Sequence, residues 1–135
     1  MPFPISFATM AETEAALDVS FPARFKLYMS RSSGGDVHVG GETWFLFPFR
    51  DTSNRERIRR TANDIGHETK EMLEADVGFP REGIAIADNG AGDCPFLRRD
   101  GDRLRDEVWR FQLDGGESAI VLDDVADLWE GDDND

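Results

Sequence analysis

A chain of 135 residues with 39% apolar content and fourteen aromatics (ten Phe, three Trp, one Tyr) can fill one sizeable core, which excludes a disordered protein. Its net charge of −13 is uneven: residues 1–81 carry 12 acidic and 10 basic side chains (net −2), and residues 82–135 carry 16 and 5 (net −11). Such a field repels phosphate backbones and anionic lipid and favours a basic protein partner; the plainer alternative is charge that serves solubility alone.

In chain order, Phe3, Ile5 and Phe7 alternate, as in a short strand or an extended arm that packs down. Thr9-Met-Ala-Glu12 fits a capping box and predicts a helix over about Met10 to Leu17. Pro22 suits the first turn of a second helix, with Phe21, Phe25, Tyr28 and Met29 on its buried face and Gly34-Gly35 at its end. Val37–Val39 and Thr43–Phe49 form a hairpin around Gly40-Gly41. The run Trp44-Phe-Leu-Phe47 is apolar on both faces, which predicts a central strand covered on both sides with Trp44 in the core; if its side of the strand is open, Trp44 is instead the aromatic anchor of a partner contact. Ser53-Asn-Arg-Glu56 is a second capping box. It opens a helical pattern of Ile58, Ala62, Ile65, Thr69 and Met72, with a break expected at Gly66 and an end at Pro80.

From Ile84 onward the pattern is a β-meander. Strands are expected at Ile84–Asp88, Cys94–Arg98, Glu107–Leu113 and Glu117–Leu122. The Asn89-Gly90 pair, Asp100-Gly101 and Gly115-Gly116 mark the reversals. Alternation puts Trp109, Phe111 and Leu113 on the core face of the third of these strands, and Val108, Arg110 and Gln112 opposite. Asp123 or Asp124 can cap a final short helix carrying Val125, Leu128 and Trp129, ahead of an acidic, frayed tail at residues 130–135. The sum is a single α+β domain over residues 1–135: a mostly antiparallel or mixed sheet, several helices against it, and a short C-terminal helix.

No nucleophile, metal set or cofactor motif stands out. Lone Cys94 excludes an internal disulfide and reads as a small buried thiol. His67-Glu68 begins like a zinc-protease helix, but Glu71 stands where the second histidine belongs. Asp36 and His38 share one strand face without a third ligand. The Asn89–Asp93 loop has no cation and is flanked by Asp88 and Asp93, so it reads as a turn rather than an anion nest. The carboxylates of Asp106-Glu107 and Asp123-Asp124 diverge as sequence neighbours, which makes them poor acid–base pairs. Arg55, Arg57, Arg59 and Arg60 read as a solvated helix face. With no signal peptide and no apolar run of membrane-spanning length, the expected location is cytoplasmic.

Three blocks carry a family resemblance. They are Phe21-Pro-Ala-Arg-Phe25-Lys-Leu-Tyr28 with Ser33-Gly34-Gly35; Ile84-Ala-Ile-Ala-Asp88-Asn-Gly90-Ala-Gly92-Asp93; and Val108-Trp109-Arg-Phe111 followed by Ala119 to Trp129. In this order they resemble the SUKH superfamily of the Smi–Knr type over most of residues 10–130, with Ser33 where the family usually has asparagine. Gln112-Leu113-Asp114 departs from the charged or histidine-containing position that often follows the family's aromatic strand. The resemblance implies no catalytic residues and a protein that binds proteins. Bacterial members look like immunity proteins that neutralise polymorphic toxins, and fungal relatives look like regulatory scaffolds.

The expected function is therefore non-enzymatic: capture of a basic partner, a cognate toxin domain of the nuclease or another type, through an acidic surface built on the C-terminal meander, with Asp36, Glu42, Asp88, Asp93, Asp106 and Glu107 as candidate contacts. No metal, cofactor, nucleic acid or membrane enters this reading. A regulatory scaffold binding a host protein is the alternative, and a hydrolase with dispersed carboxylates is the third.

Overall fold

The computed structural model describes residues 3–130, so the tail expected to fray lies almost wholly outside the described residues. The chain runs α1 (Phe7–Leu17), α2 (Ala23–Arg31), β1 (Gly35–Val39), β2 (Glu42–Leu46), α3 (Arg55–Arg60) and α4 (Ile65–Glu74). It continues β3 (Gly83–Ala85), β4 (Ala87–Asp88), β5 (Cys94–Asp100), β6 (Arg103–Leu104), β7 (Val108–Gln112), β8 (Glu117–Leu122) and α5 (Asp127–Glu130). This is an α+β fold in which every strand pair is antiparallel.

Helix starts fall beside the expected caps. Ser6, not Thr9, caps α1 by accepting from the Thr9 amide at 3.1 Å, which takes Phe7 out of the extended arm and into the helix. Asn54, one residue after Ser53, caps α3 through the Arg57 amide. The break between α3 and α4 lies at residues 61–64 rather than at Gly66, because Asp64 caps a new helix by accepting from the His67 amide. Gly66 then sits in the first turn of α4. Helix α2 stops at Arg31, before the expected glycines, and Gly34 and Gly35 enter β1 with positive φ.

The strands divide into two sheets, β1-β2-β4 and β3-β5-β7-β8, with β6 paired to β5. The single strand expected at Ile84–Asp88 is split at Ile86, which joins the sheets. The Ile86 N–H donates to Pro95 O in β5, and its carbonyl accepts from the Phe47 N–H just beyond β2. Ile84 through Ala87 are fully covered, so a short apolar run serves both sheets at once.

Two aromatic clusters fill the core. Around α2, Phe21 stacks on Phe25 at 5.4 Å and meets Phe49 edge-on at 5.1 Å, while Trp129 of α5 stacks on Tyr28 at 4.6 Å. Under the larger sheet, Phe79 meets Phe96 and Phe111 edge-on. Each such buried side chain contributes about 1.5–3 kcal/mol by transfer from water. In β7 the expected alternation fails: Val108 is buried, Trp109 is half-buried and Leu113 is 45% exposed. The pattern holds at Phe111 and Gln112; the β7–β8 bulge falls at the Val108/Trp109 end, and Leu113 lies past the end of β7.

Candidate functional site

The outer face of the three-stranded sheet is the feature that neither packing nor capping accounts for. In β2, alternation turns Trp44 (1% exposed) and Leu46 (4%) inward and Phe45 (44%) outward. The strand is central but covered on one side only, which corrects the expectation of cover on both. Cross-strand register places Asp36 of β1 and Asp88 of β4 directly beside Phe45, giving a row of carboxylate, phenyl and carboxylate across the sheet. Neither Asp36 nor Asp88 is ion-paired among the described residues. Gly90 sits against the ring: a Cβ there would lie 3.3 Å from Phe45 Cε2.

The six carboxylates expected to form one acidic surface have different fates. Glu42 and Asp93 converge on Arg110. Its guanidinium donates to Glu42 Oε1 at 2.8 Å and Oε2 at 3.1 Å, and to Asp93 Oδ2 at 2.8 and 3.1 Å. The Trp44 indole N–H donates to Glu42 Oε1 at 3.0 Å as well. The Trp44 bond first, and then Arg110, hold the Glu42 carboxyl below its ordinary range against the opposing effect of burial, which makes it a poor proton donor near neutrality. Glu107 pairs with Arg105 at 3.1 Å. Asp106 is exposed and belongs to the turn against α5, where its carbonyl accepts from the Val125 amide. Asp36 and Asp88 are thus the two brought together at one surface.

The loop from Asp88 to Asp93 closes on itself. Asp88 Oδ1 accepts from the Gly90 amide at 2.8 Å, and Asn89 Oδ1 accepts from Ala91 at 2.9 Å and Asp93 at 3.2 Å. Its amides are already used, so the loop is a turn and presents no anion nest. Cys94 is buried, and burial pushes its thiol far above the ordinary range. His67 lies 3.4 Å from Glu71 on the exposed side of α4, and among the described residues no group of three or more His, Cys, Asp or Glu could hold a metal ion.

The arginine cluster is less of a solvated face than expected. Arg57 pairs with buried Asp51 at 3.0 Å, and the guanidiniums of Arg57 and Arg60 lie 4.3 and 5.3 Å from the centre of the Phe3 ring, pinning the N-terminal arm. A separate groove of about 870 Å³ runs between α1, α3 and α4, with Leu17 and Ile58 among its apolar lining and Arg50 and Lys70 among its charges. No helix among the described residues is long and apolar enough to cross a membrane.

Sequence reasoning missed Phe45 and Arg110. Phe45 is hidden inside an apolar run, although strict alternation from Trp44 is a signal that would have separated it. Arg110 meets Glu42 across 68 positions, and no local pattern carries that pairing.

Residues 4–131 match the SMI1 / KNR4 family (SUKH-1). The chain belongs to that family. It is a family of immunity-like, generally non-catalytic domains, as the three sequence blocks led one to expect. No curated protein and no solved structure matches the chain.

Proposed function

We propose that this SUKH-1 domain is an immunity-type protein that neutralises a basic toxin domain by docking it on the outer face of the β1-β2-β4 sheet. The observation that carries the reading is the exposed Phe45 ring held between the unpaired carboxylates of Asp36 and Asp88. A ring on a rigid central strand loses little entropy when it fills a partner's pocket, which is how an aromatic anchor acts. The flanking carboxylates, within a chain of net charge −13, draw a cationic partner in and reject acidic ones. Trp44 is not the anchor, being 1% exposed.

The test takes basic toxin domains, beginning with any toxin-like protein encoded beside this gene. Co-expression with this chain should rescue growth. The double charge reversal Asp36→Lys/Asp88→Lys should slow association about tenfold at low salt and flatten its salt dependence, as rim charges do. Phe45→Ala should instead speed dissociation, as loss of an anchor does. Rescue and binding kinetics that all three substitutions leave untouched would remove this face from the interface.

A further inference from the structure

Among the described residues strand β8 ends the five-stranded sheet and pairs with β7 alone, so half of its backbone N–H and C=O groups face away from any described strand. Edges of this kind are ordinarily blocked by lysine, proline or a covering helix. This one carries neither Lys nor Pro in Glu117–Leu122; its guards are one acid, Glu117, and the bulge at Val121, and Ile120 (49%) and Val121 (38%) are exposed on it. The chain has no Lys or Arg at all after Arg110. Acids stand at both ends of the strand instead, Asp114 and Glu117 before it and Asp123 and Asp124 after it.

That charge pattern selects the occupant. A second copy paired antiparallel would set the Asp114/Glu117 end of one strand against the Asp123/Asp124 end of the other, and a parallel copy would stack identical acids. Both put like charges together. A strand with an apolar centre and Lys or Arg at its ends meets the opposite: hydrophobic contact in the middle and carboxylates at each end. The bulge limits the length. Trp109 pairs with Ile120 and Val108 with Leu122, so Val121 is the extra residue, and the regular stretch is Glu117–Ile120.

We propose that β8 accepts an extended segment of a basic protein, adding one strand to the sheet along Glu117–Ile120. The inference rests on the docking reading above only for the basic character of the partner. It concerns a different surface from Phe45, and the two fail separately.

The probe is a short fluorescent peptide with Lys-Arg at each end and Val-Thr-Val-Thr between, alongside the same peptide N-methylated at alternate residues. Methylation keeps charge and side chains but removes backbone donors. Saturable binding of the parent, at least about tenfold weaker binding of the methylated form, and slowed hydrogen exchange at the amides of residues 118–121 are expected. Ile120→Lys, a cation placed on an exposed edge position, should abolish binding while leaving the unfolding midpoint in place, and Phe45→Ala should leave peptide binding unchanged. Equal binding of both peptides would reduce the contact to bulk charge and overturn the proposal. So would absence of saturable binding by the parent, protection confined to other strands, or dimers of the free protein that Ile120→Lys dissolves.

Discussion

Two groups of acids on or beside the three-stranded sheet do opposite things. Glu42 and Asp93 meet Arg110 and serve the structure, tying the hairpin to the second sheet with four charge-assisted hydrogen bonds. Asp36 and Asp88 flank an exposed ring and, among the described residues, are paired with no cation. A net charge of −13 is therefore no map of the surface field. Each carboxylate counts toward a partner only after internal pairing has been subtracted, and that subtraction depends on contacts far apart in sequence.

The sharpest break between the inward and outward uses of β2 comes from adjacent residues. Trp44→Ala should lower unfolding free energy by about 3–5 kcal/mol, since it empties a core site and strips Glu42 of its indole donor. Phe45→Ala should change it by less than about 0.5 kcal/mol, because nearly half of the ring is already in water. Urea titration with an unchanged m-value measures both. If the two substitutions cost the same, Phe45 belongs to the core and the face is no docking surface.

What could be read in advance follows the range of the interactions. Helix α2 announces itself through Phe21, Phe25 and Met29, all within two turns, and strand β8 falls on the expected residues Glu117–Leu122 between glycine and aspartate breaks. The first hairpin follows from Gly40-Gly41, both at positive φ. The split at Ile86 was hidden because a residue shared by two sheets has the same apolar signature as one buried in a single sheet. The burial of Val108 goes with a bulge at Val108/Trp109 whose extra residue belongs to β8, and nothing within β7 encodes it. At the candidate site the acids were legible as residue types. Their division into paired and unpaired was not, because Arg110 reaches Glu42 and Asp93 only once both sheets exist.

A smaller effect probes the support beneath the ring. Gly90 has φ +80, where an L side chain is strained, and an added Cβ would press on Phe45 Cε2 at 3.3 Å. Gly90→Ala should cost about 1–2 kcal/mol. Gly101 makes the control: its φ is +67, and a Cβ there meets nothing within 4 Å. Gly101→Ala carries the backbone strain alone, so the difference between the two variants isolates the contact with the ring. Partner affinity should fall for Gly90→Ala and hold for Gly101→Ala. Equal affinities would mean that the loop does not set the ring's position.

The smallest effect tests the paired acids through pH. Arg110→Met keeps much of the aliphatic stem and removes the guanidinium. At neutral pH the loss should be about 1 kcal/mol, the upper range for a part-exposed ion pair. The Glu42 carboxyl is held down by the Trp44 indole and by Arg110, so its folded pKa lies below its unfolded value. A depressed carboxylate stabilises the fold above the unfolded value and loses that contribution as pH falls through the folded one. The gap between wild type and Arg110→Met should therefore be full at pH 7 and shrink below about pH 4.5. Glu68 runs the other way: burial raises its pKa, so its contribution is present at low pH and lost as pH rises through the folded value. Both proteins retain Glu68, and its effect cancels in the difference. A gap that stays constant from pH 7 to pH 3 would mean that the guanidinium contributes independently of the charge on its carboxylate partners. In that case Glu42 and Asp93 would be as available to a partner as Asp36 and Asp88, and the distinction between structural and displayed acids would fall.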